Sequence, residues 1–111
     1  MITTRISGNK GNVTLTERGN YFIHRREGDG MVIIEGENLP KPIVLAGPDK
    51  FVSRKHLLLR PAIVVPRHIT IIDYSGKTYL RGEQISSKSL GIGEYRLGLS
   101  DTTTLNLIVG D

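Results

Sequence analysis

The residues best suited to chemistry lie together in one short stretch, residues 51–56 (FVSRKH), which runs directly into the apolar residues 57–59 (LLL). Ser53 can donate and accept a hydrogen bond, and Arg54 carries a fixed fork of donors. Such groups suit a tetrahedral anion such as phosphate, because charge-assisted hydrogen bonds from arginine to phosphate are strong. The alternative is a basic surface turn that leads into a buried strand, and a motif this short fits both readings.

Ser53, His56 and Asp73 are the residue types of a hydrolase triad, but a triad is defined by geometry and not by residue type. Ser53 and His56 lie three positions apart at a predicted junction of loop and strand, where a structural role explains them equally well. The chain contains no Gly-x-Ser-x-Gly nucleophile elbow. We therefore predict that the protein is not an enzyme.

The three histidines, His24, His56 and His68, are isolated and lack the spacing of metal ligands. Cysteine is absent, which excludes disulfides and thiolate metal sites. The sequence therefore predicts neither a metal nor a cofactor. His24 lies beside Arg25, and a histidine near its titration point would make anion binding at that arginine depend on pH.

The chain has 111 residues, a formal charge of +4 and a pI near 9.6. This length predicts one domain, and the modest positive charge favours an anionic partner. Aromatic residues make up 5% of the chain and Trp is absent. Few side chains are therefore available for stacking on bases, which argues against nucleic acid as a partner. Neither an apolar membrane span nor a signal peptide is present, which predicts a cytoplasmic protein that does not engage a membrane.

Glycine and proline punctuate the sequence, and the short segments between them are rich in Ile, Val, Leu, Thr and Tyr. Many short strands separated by turn residues are typical of an all-β sandwich or barrel. The predicted strands are Asn12–Thr16, Tyr21–Arg25, Met31–Glu35, Ile43–Ala46, His56–Arg60, Ile69–Asp73, Thr78–Arg81, Tyr95–Leu97 and Thr103–Val109.

Residues 49–60 offer one alternative to this pattern, because they contain neither glycine nor proline. They could form a basic helix with Asp49 as its N-cap. Residues 57–59 would then spread around the helix instead of forming an apolar stripe, and no companion helix is predicted for a helix-turn-helix pair. These two observations favour the strand.

A series of short motifs surrounds the central stretch. In chain order they are Ile23-His24-Arg25, residues 42–45 (PIVL), residues 53–56 (SRKH), residues 69–73 (ITIID), residues 78–82 (TYLRG), residues 90–94 (LGIGE), residues 95–98 (YRLG) and a terminal strand. In this order the chain resembles the forkhead-associated (FHA) domain. The family pattern includes Ile-Gly-Arg at a strand end, Ser-Arg-x-His, Asn-Gly-Thr-Tyr-x-Asn-Gly and a Leu-x-x-Gly-Asp turn. The resemblance covers nearly the whole chain from about Asn12.

The resemblance implies an all-β, two-sheet β-sandwich of the FHA/SMAD-like type, with the binding loops at one end. Residues 12–111 would form the single domain, and residues 1–11 would be an N-terminal tail or a first strand. The implied function is that of a signalling adaptor that binds phosphothreonine in a partner protein. Phosphothreonine carries a charge of roughly −1.5 to −2 and strong acceptor oxygens, and FHA domains read such groups with arginine.

The resemblance also assigns roles to individual residues. Arg25 matches the phosphate-contacting arginine of the family, and Ser53 matches the serine that bonds a phosphate oxygen. Arg54 matches the arginine beside that serine. His56 matches a histidine that ties the loop to neighbouring backbone, and Gly82 matches a turn glycine.

The chain departs from the family pattern beside this expected site. His24 replaces a glycine, and the loop at residues 74–78 is shorter than usual and lacks the asparagine that holds the bound peptide. Ser75 and Lys77 could instead supply a hydroxyl and a cation to the phosphate.

These departures leave two alternatives open: an FHA-like structural or assembly module that binds an unphosphorylated protein partner, and a nucleic-acid binder that uses the same basic loops. Arg26 would replace Arg25 at the site if the strand register shifted by one residue. Thr3 and Thr4 are predicted to lie in a mobile tail, and their phosphorylation would let this tail occupy the site of its own chain.

Overall fold

The structure is a computed structural model, and it describes residues 3–16, 19–61 and 69–110. The described residues form strands and turns without a helix. The strands are β1 (Thr3–Ser7), β2 (Asn12–Leu15), β3 (Tyr21–Arg25), β4 (Val32–Gly36), β5 (Ile43–Ala46), β6 (Leu57–Pro61), β7 (Ile69–Asp73), β8 (Tyr79–Leu80), β9 (Glu83–Gln84), β10 (Ser87–Leu90), β11 (Gly93–Gly98) and β12 (Thr104–Gly110).

These strands form two six-stranded antiparallel sheets. Sheet A has the order β2-β1-β12-β11-β8-β9, and sheet B has the order β10-β7-β6-β3-β4-β5. Apolar side chains from both sheets meet in one buried core. The predicted all-β, two-sheet β-sandwich is therefore confirmed.

Alternation of apolar and polar residues explains which face of each strand enters the core. In β12, Leu105, Leu107 and Val109 are buried, whereas the residues between them are exposed. This is the period of two expected for a strand with one solvated face. β6 differs because Leu57, Leu58 and Leu59 are all buried, and only Leu57 and Leu59 belong to the main core. Leu58 is buried on the opposite face of sheet B.

All nine predicted strands are present. Tyr21–Arg25, Ile43–Ala46 and Ile69–Asp73 have the predicted bounds, and the others differ by a few residues at their ends. The sequence reasoning missed β9 and β10, which are short and polar. His68, one of the isolated histidines, lies outside the described residues.

The N-terminal segment is a strand and not a tail. β1 pairs with β12 on one side and with β2 on the other. Thr4 is only 1% exposed because its side chain lies on the inner face with Ile6. Residues 3–7 therefore form a first strand and not a mobile tail, and the phosphorylation of Thr3 and Thr4 stays a prediction.

The alternative helix at residues 49–60 is also wrong. Residues 50–56 form turns, and residues 57–60 belong to β6. Asp49 does cap a local structure, since its Oδ1 accepts a hydrogen bond from the Phe51 N–H at 2.9 Å. That structure is a turn, and the apolar run after it pairs with β3 and β7 in the middle of sheet B.

The two-residue turn between β8 and β9 gives a first prediction. Arg81 and Gly82 both have positive φ, 52° and 82°, as a tight hairpin turn of type I′ requires. Asparagine tolerates this backbone better than arginine. We expect Arg81→Asn to raise the free energy of unfolding by roughly 0.5 kcal/mol, measured by urea denaturation. A lower free energy of unfolding would show that the contact of Arg81 with the Tyr95 ring, 5.3 Å away, outweighs the backbone strain.

Candidate functional site

Two loops emerge side by side where the central strands of sheet B end. We call this row of strand ends the edge of the sheet here, although it is not an outer strand. β6 and β7 are antiparallel and pair Leu57 with Asp73, so residues 50–56, which precede β6, and residues 74–78, which follow β7, lie next to each other. We call them the 50–56 loop and the 74–78 loop. β3 flanks β6 on its other side, and its last residue, Arg25, donates its backbone N–H to the Ser53 carbonyl at 3.0 Å. Pairing within one sheet thus assembles this edge.

His56 fastens the two loops together. Its side chain is 1% exposed, and its Nδ1 accepts the Ser53 backbone N–H at 3.1 Å. Its carbonyl oxygen accepts the Tyr74 N–H at 2.9 Å. Because Nδ1 accepts a hydrogen bond, the neutral ring carries its proton on Nε2. This Nε2 is buried and has no hydrogen-bond partner among the described residues. Burial lowers the pKa of His56, while the Lys77 backbone and the Asp73 charge act in the opposite direction.

This lowered pKa predicts a pH dependence of stability. The unfolded chain takes up a proton at His56 below its ordinary pKa of 6.5, whereas the folded protein resists protonation, so stability should fall as the pH drops below that value. In His56→Asn, an amide oxygen replaces the Nδ1 acceptor and does not titrate. We expect the unfolding free energy of this variant to be about 1–2 kcal/mol lower at neutral pH and to fall less with acidification. His24→Asn is the matched control, and equal pH dependence in wild type and His56→Asn would contradict the account.

Asp73 holds the 74–78 loop in shape. Its carboxylate accepts hydrogen bonds from the Ser75 N–H and hydroxyl at 3.0 and 2.8 Å, from the Gly76 N–H at 2.7 Å and from the Thr78 hydroxyl at 2.7 Å. Burial opposes ionisation, but the hydrogen bonds from Thr78, Ser75 and Gly76 outweigh it and lower the pKa of Asp73. Asp73 therefore stays ionised and keeps the short loop ordered.

Asp49 plays the corresponding part at the start of the 50–56 loop. Its carboxylate is 7% exposed and accepts hydrogen bonds from the hydroxyls of Ser100, Thr102 and Thr103 in the turn before β12. Burial again opposes ionisation, but these bonds and the Phe51 N–H lower the pKa of Asp49 to about 2. Asp49 thereby joins the loop of one sheet to a turn of the other.

Positive charges outnumber negative charges at this edge. Its exposed cations make no ion pair with any residue that the structure describes; they are Lys50, Arg54, Lys55 and Lys77. Arg25 is half-buried and donates from Nη1 to the Lys50 carbonyl at 3.1 Å. Asp49 and Asp73 are nearby acids, but the Asp49 carboxylate is taken up by Phe51 and the turn before β12, and the Asp73 carboxylate by the 74–78 loop. The edge is consequently a local site of positive potential.

The predicted site residues do not all fall into one group. Arg25 and Ser53 adjoin, and the Ser53 hydroxyl accepts the Lys55 N–H at 3.2 Å, which leaves its own proton free for an acceptor. The Ser75 hydroxyl donates to Asp73 and accepts the Lys77 N–H at 2.9 Å. Ser75 therefore orders the loop and has no proton left for an anion.

Arg54 and Lys77 line different grooves. Arg54 lines a small one of about 160 Å³ with His24 and Glu35 on the outer side of sheet B, and the His24 Nε2 lies 3.4 Å from a Glu35 oxygen. Lys77 lines a groove of about 780 Å³ on the side of sheet A. Gly82 lies in the turn after β8 and borders that larger groove.

Sequence reasoning missed part of this site. The sequence motifs assign no role to Lys50 and Lys55, yet Lys50 lies over the Phe51 ring at 5.3 Å and Lys55 over the Tyr74 ring at 5.2 Å. Their position within the central stretch was the available signal. Nothing in the linear pattern links Asp49 to hydroxyls some fifty residues later.

Ser53, His56 and Asp73 lie near one another but do not form a relay. His56 accepts a hydrogen bond from the backbone of Ser53 and not from its hydroxyl, and the Asp73 carboxylate bonds the 74–78 loop. This is the geometry of a loop anchor. Within the described ranges, no three His, Asp or Glu side chains converge as metal ligands would.

Comparison with known proteins found no protein-family model, no curated protein and no solved structure that matches this chain. The part of the chain that the structure describes also contains no helix of the length and apolarity that crossing a bilayer requires.

Proposed function

We propose that this chain is a cytoplasmic, non-catalytic adaptor of the forkhead-associated type, which binds a phosphothreonine-containing segment of a partner protein in signalling. The observation that carries the proposal is the cationic edge at the junction of the 50–56 and 74–78 loops. Ser53 and Arg25 adjoin there, Lys50 and Lys55 are exposed beside them, and no carboxylate among the described residues forms an ion pair with these cations.

The charge of this edge fits a phosphate ester. A phosphothreonine is close to a dianion at neutral pH and presents strong acceptor oxygens. Arg25 can direct its remaining guanidinium donors at such an anion, and Ser53 retains a hydroxyl proton. Both lie on backbone fixed by hydrogen bonds to each other and to His56. A site held in this way loses little conformational freedom on binding, which favours affinity.

The groove beside Lys77 supports a peptide ligand over a free phosphate ion. Phe51 and Tyr79 line it and are 59% and 41% exposed. Concave sites that combine aromatic side chains with a few polar groups suit extended organic ligands. The segment around the phosphothreonine would occupy this groove while the phosphate contacts the loops.

A second candidate is an assembly module that binds an unphosphorylated protein. The short 74–78 loop, which lacks the asparagine of the family pattern, favours it. Phe22, 38% exposed on the outer face of sheet B, and Tyr74, 47% exposed in the 74–78 loop, also supply apolar surface for such a partner. Exposed aromatic side chains of this kind are common in protein interfaces.

Isothermal titration calorimetry with a degenerate peptide library centred on phosphothreonine tests the proposal. We expect binding to the phosphothreonine library, none to the threonine library and weaker binding to the phosphoserine library. Absence of binding to every phosphorylated library by the folded protein would overturn the proposal in favour of the assembly module. Preferential binding to a single-stranded oligonucleotide, with a steep loss of affinity in salt, would assign the edge to nucleic acid.

A further inference from the structure

The outer face of sheet A carries a second group of cations that form no ion pair with the described residues. Strand pairing places Tyr79 opposite Gly98 and Arg96 opposite Asn106, and it continues to Ser7 of β1. Two grooves of about 780 and 690 Å³ lie over this face, and both are lined by Arg81 and Arg96. The first groove reaches Lys77 in the 74–78 loop, and the second reaches Arg5. The face is thus a continuous path from the cationic edge across sheet A.

The charges along this path are mostly positive. We call Arg5, Arg81 and Arg96 the arginine cluster; all three are exposed. Glu94 and Asp101 also line the grooves, but neither forms an ion pair with an arginine of the cluster in the described chain. Cations gathered in a concave surface attract and orient an anionic segment.

Arg81 adds a separate observation. It is the non-glycine residue with a positive φ among those described, at 52°, and it sits in a turn that asparagine or glycine would form with less strain. Its guanidinium lies over the Tyr95 ring at 5.3 Å, between the two grooves. A strained residue at a surface site points to a function that the strain serves.

We infer that the arginine cluster binds an acidic segment of the same partner protein, several residues away from its phosphothreonine. This inference rests on the proposed function. Strands in a sheet are about 4.8 Å apart, so the three strand spacings from β8 across β11 and β12 to β1 span roughly 14 Å, which an extended chain covers in four to five residues. The acidic residues would therefore lie roughly four to eight positions from the phosphothreonine.

Fluorescence anisotropy with a defined set of peptides tests the inference. The peptides are a short phosphothreonine peptide, versions extended at either end by an acidic or a neutral segment, and the unphosphorylated acidic peptides. The variant is Arg81→Asn with Arg96→Gln, in which asparagine suits the left-handed backbone and keeps the turn intact. The control is Lys41→Gln with Lys88→Gln, two exposed cations of sheet B and its flanking turn, which lowers the net charge equally.

We expect one of the acidic extensions to tighten binding at least fivefold in the wild type and in the control, and to add nothing in the arginine variant. The gain from an extension is measured within each protein against the short phosphopeptide, because Arg81 and Arg96 also line the groove that this peptide would occupy and its own affinity therefore need not be equal in the three proteins. If the short phosphopeptide binds but the acidic extensions add no more than the neutral ones, or add as much in the arginine variant as in the wild type, the inference is overturned and the proposed function stands.

If no phosphopeptide binds better than its unphosphorylated form, the proposed function is overturned instead. An unphosphorylated acidic peptide that binds the wild type and not the arginine variant would then still support the cluster as an acidic-segment site, and equal or absent binding would overturn both. Displacement of the acidic peptide by an equimolar single-stranded oligonucleotide would also overturn the assignment to a protein segment.

Discussion

Replacing Arg25 with glutamine is expected to weaken binding of a phosphothreonine peptide roughly 10- to 100-fold. A hydrogen bond to a charged group contributes about 1.5–3 kcal/mol, and about 1.4 kcal/mol corresponds to a tenfold change in affinity. Arg25 is placed to contribute twice, because its Nη1 also donates to the Lys50 carbonyl and so helps to shape the 50–56 loop. Titration calorimetry of the wild type and the variant with the same peptide measures the effect.

Arg26→Gln is the matched control for this prediction. It removes the same charge one residue further along the chain, where the Arg26 guanidinium pairs with the exposed Asp29 at 2.6 Å instead of facing the loops. We expect the affinity of Arg26→Gln to stay within about twofold of the wild type, because exposed ion pairs contribute little. Equal losses in the two variants would show that only the overall charge matters, and a larger loss in Arg26→Gln would move the site to Arg26.

Replacing Asp49 with asparagine is expected to lower the free energy of unfolding at neutral pH by about 2–3 kcal/mol. The carboxylate gathers the hydroxyls of Ser100, Thr102 and Thr103 and the Phe51 N–H. Asparagine offers one acceptor oxygen and no charge, so buried donors are left without partners. Urea denaturation of the wild type and the variant measures the difference. Asp101 is an exposed neighbour of these hydroxyls, and Asp101→Asn should leave the free energy of unfolding nearly unchanged.

The contribution of Asp49 should also depend on pH in a defined direction. The pKa of Asp49 is about 2 in the folded protein against an ordinary value of 3.8. A lowered folded-state pKa stabilises the protein fully above the ordinary value, and this stabilisation is lost as the pH falls towards the folded-state value. The difference between wild type and Asp49→Asn should therefore shrink between about pH 4 and pH 2. A difference that stays constant over this range would contradict the role of the ionised carboxylate.

Strands with a clear apolar pattern could be predicted from the sequence, and strands stabilised by their neighbours could not. β12 alternates strictly, and β3 lies between recognisable turns. β10 has Leu90 as its one buried residue, and β9 has none. Hydrogen bonding to adjacent strands, which no local pattern reveals, decides their conformation. The sequence of β1 does not decide between a tail and a strand, because one of its two partners is β12, about a hundred residues away.

The candidate site was predictable in part for the same reason. Ser53 and His56 lie within one short motif, so their relation is visible in the sequence. The hydrogen bonds of Asp49 and the arginine cluster depend on residues brought together by sheet pairing. The hydrogen bond from the Ser75 hydroxyl to Asp73 is likewise a product of the folded loop, and the assignment of Ser75 as a phosphate ligand stays a prediction.

Backbone NMR of the labelled protein during titration with a phosphothreonine peptide tests the central claim most directly, because it locates the anion on the molecule. We predict that the largest amide shifts occur at Arg25, in the 50–56 loop and in the 74–78 loop, and that the unphosphorylated peptide leaves these amides unchanged. Phosphate-dependent shifts centred on the outer face of sheet B around Phe22, or no phosphate-dependent shifts at all, would contradict the claim that the two loops form a phosphothreonine site.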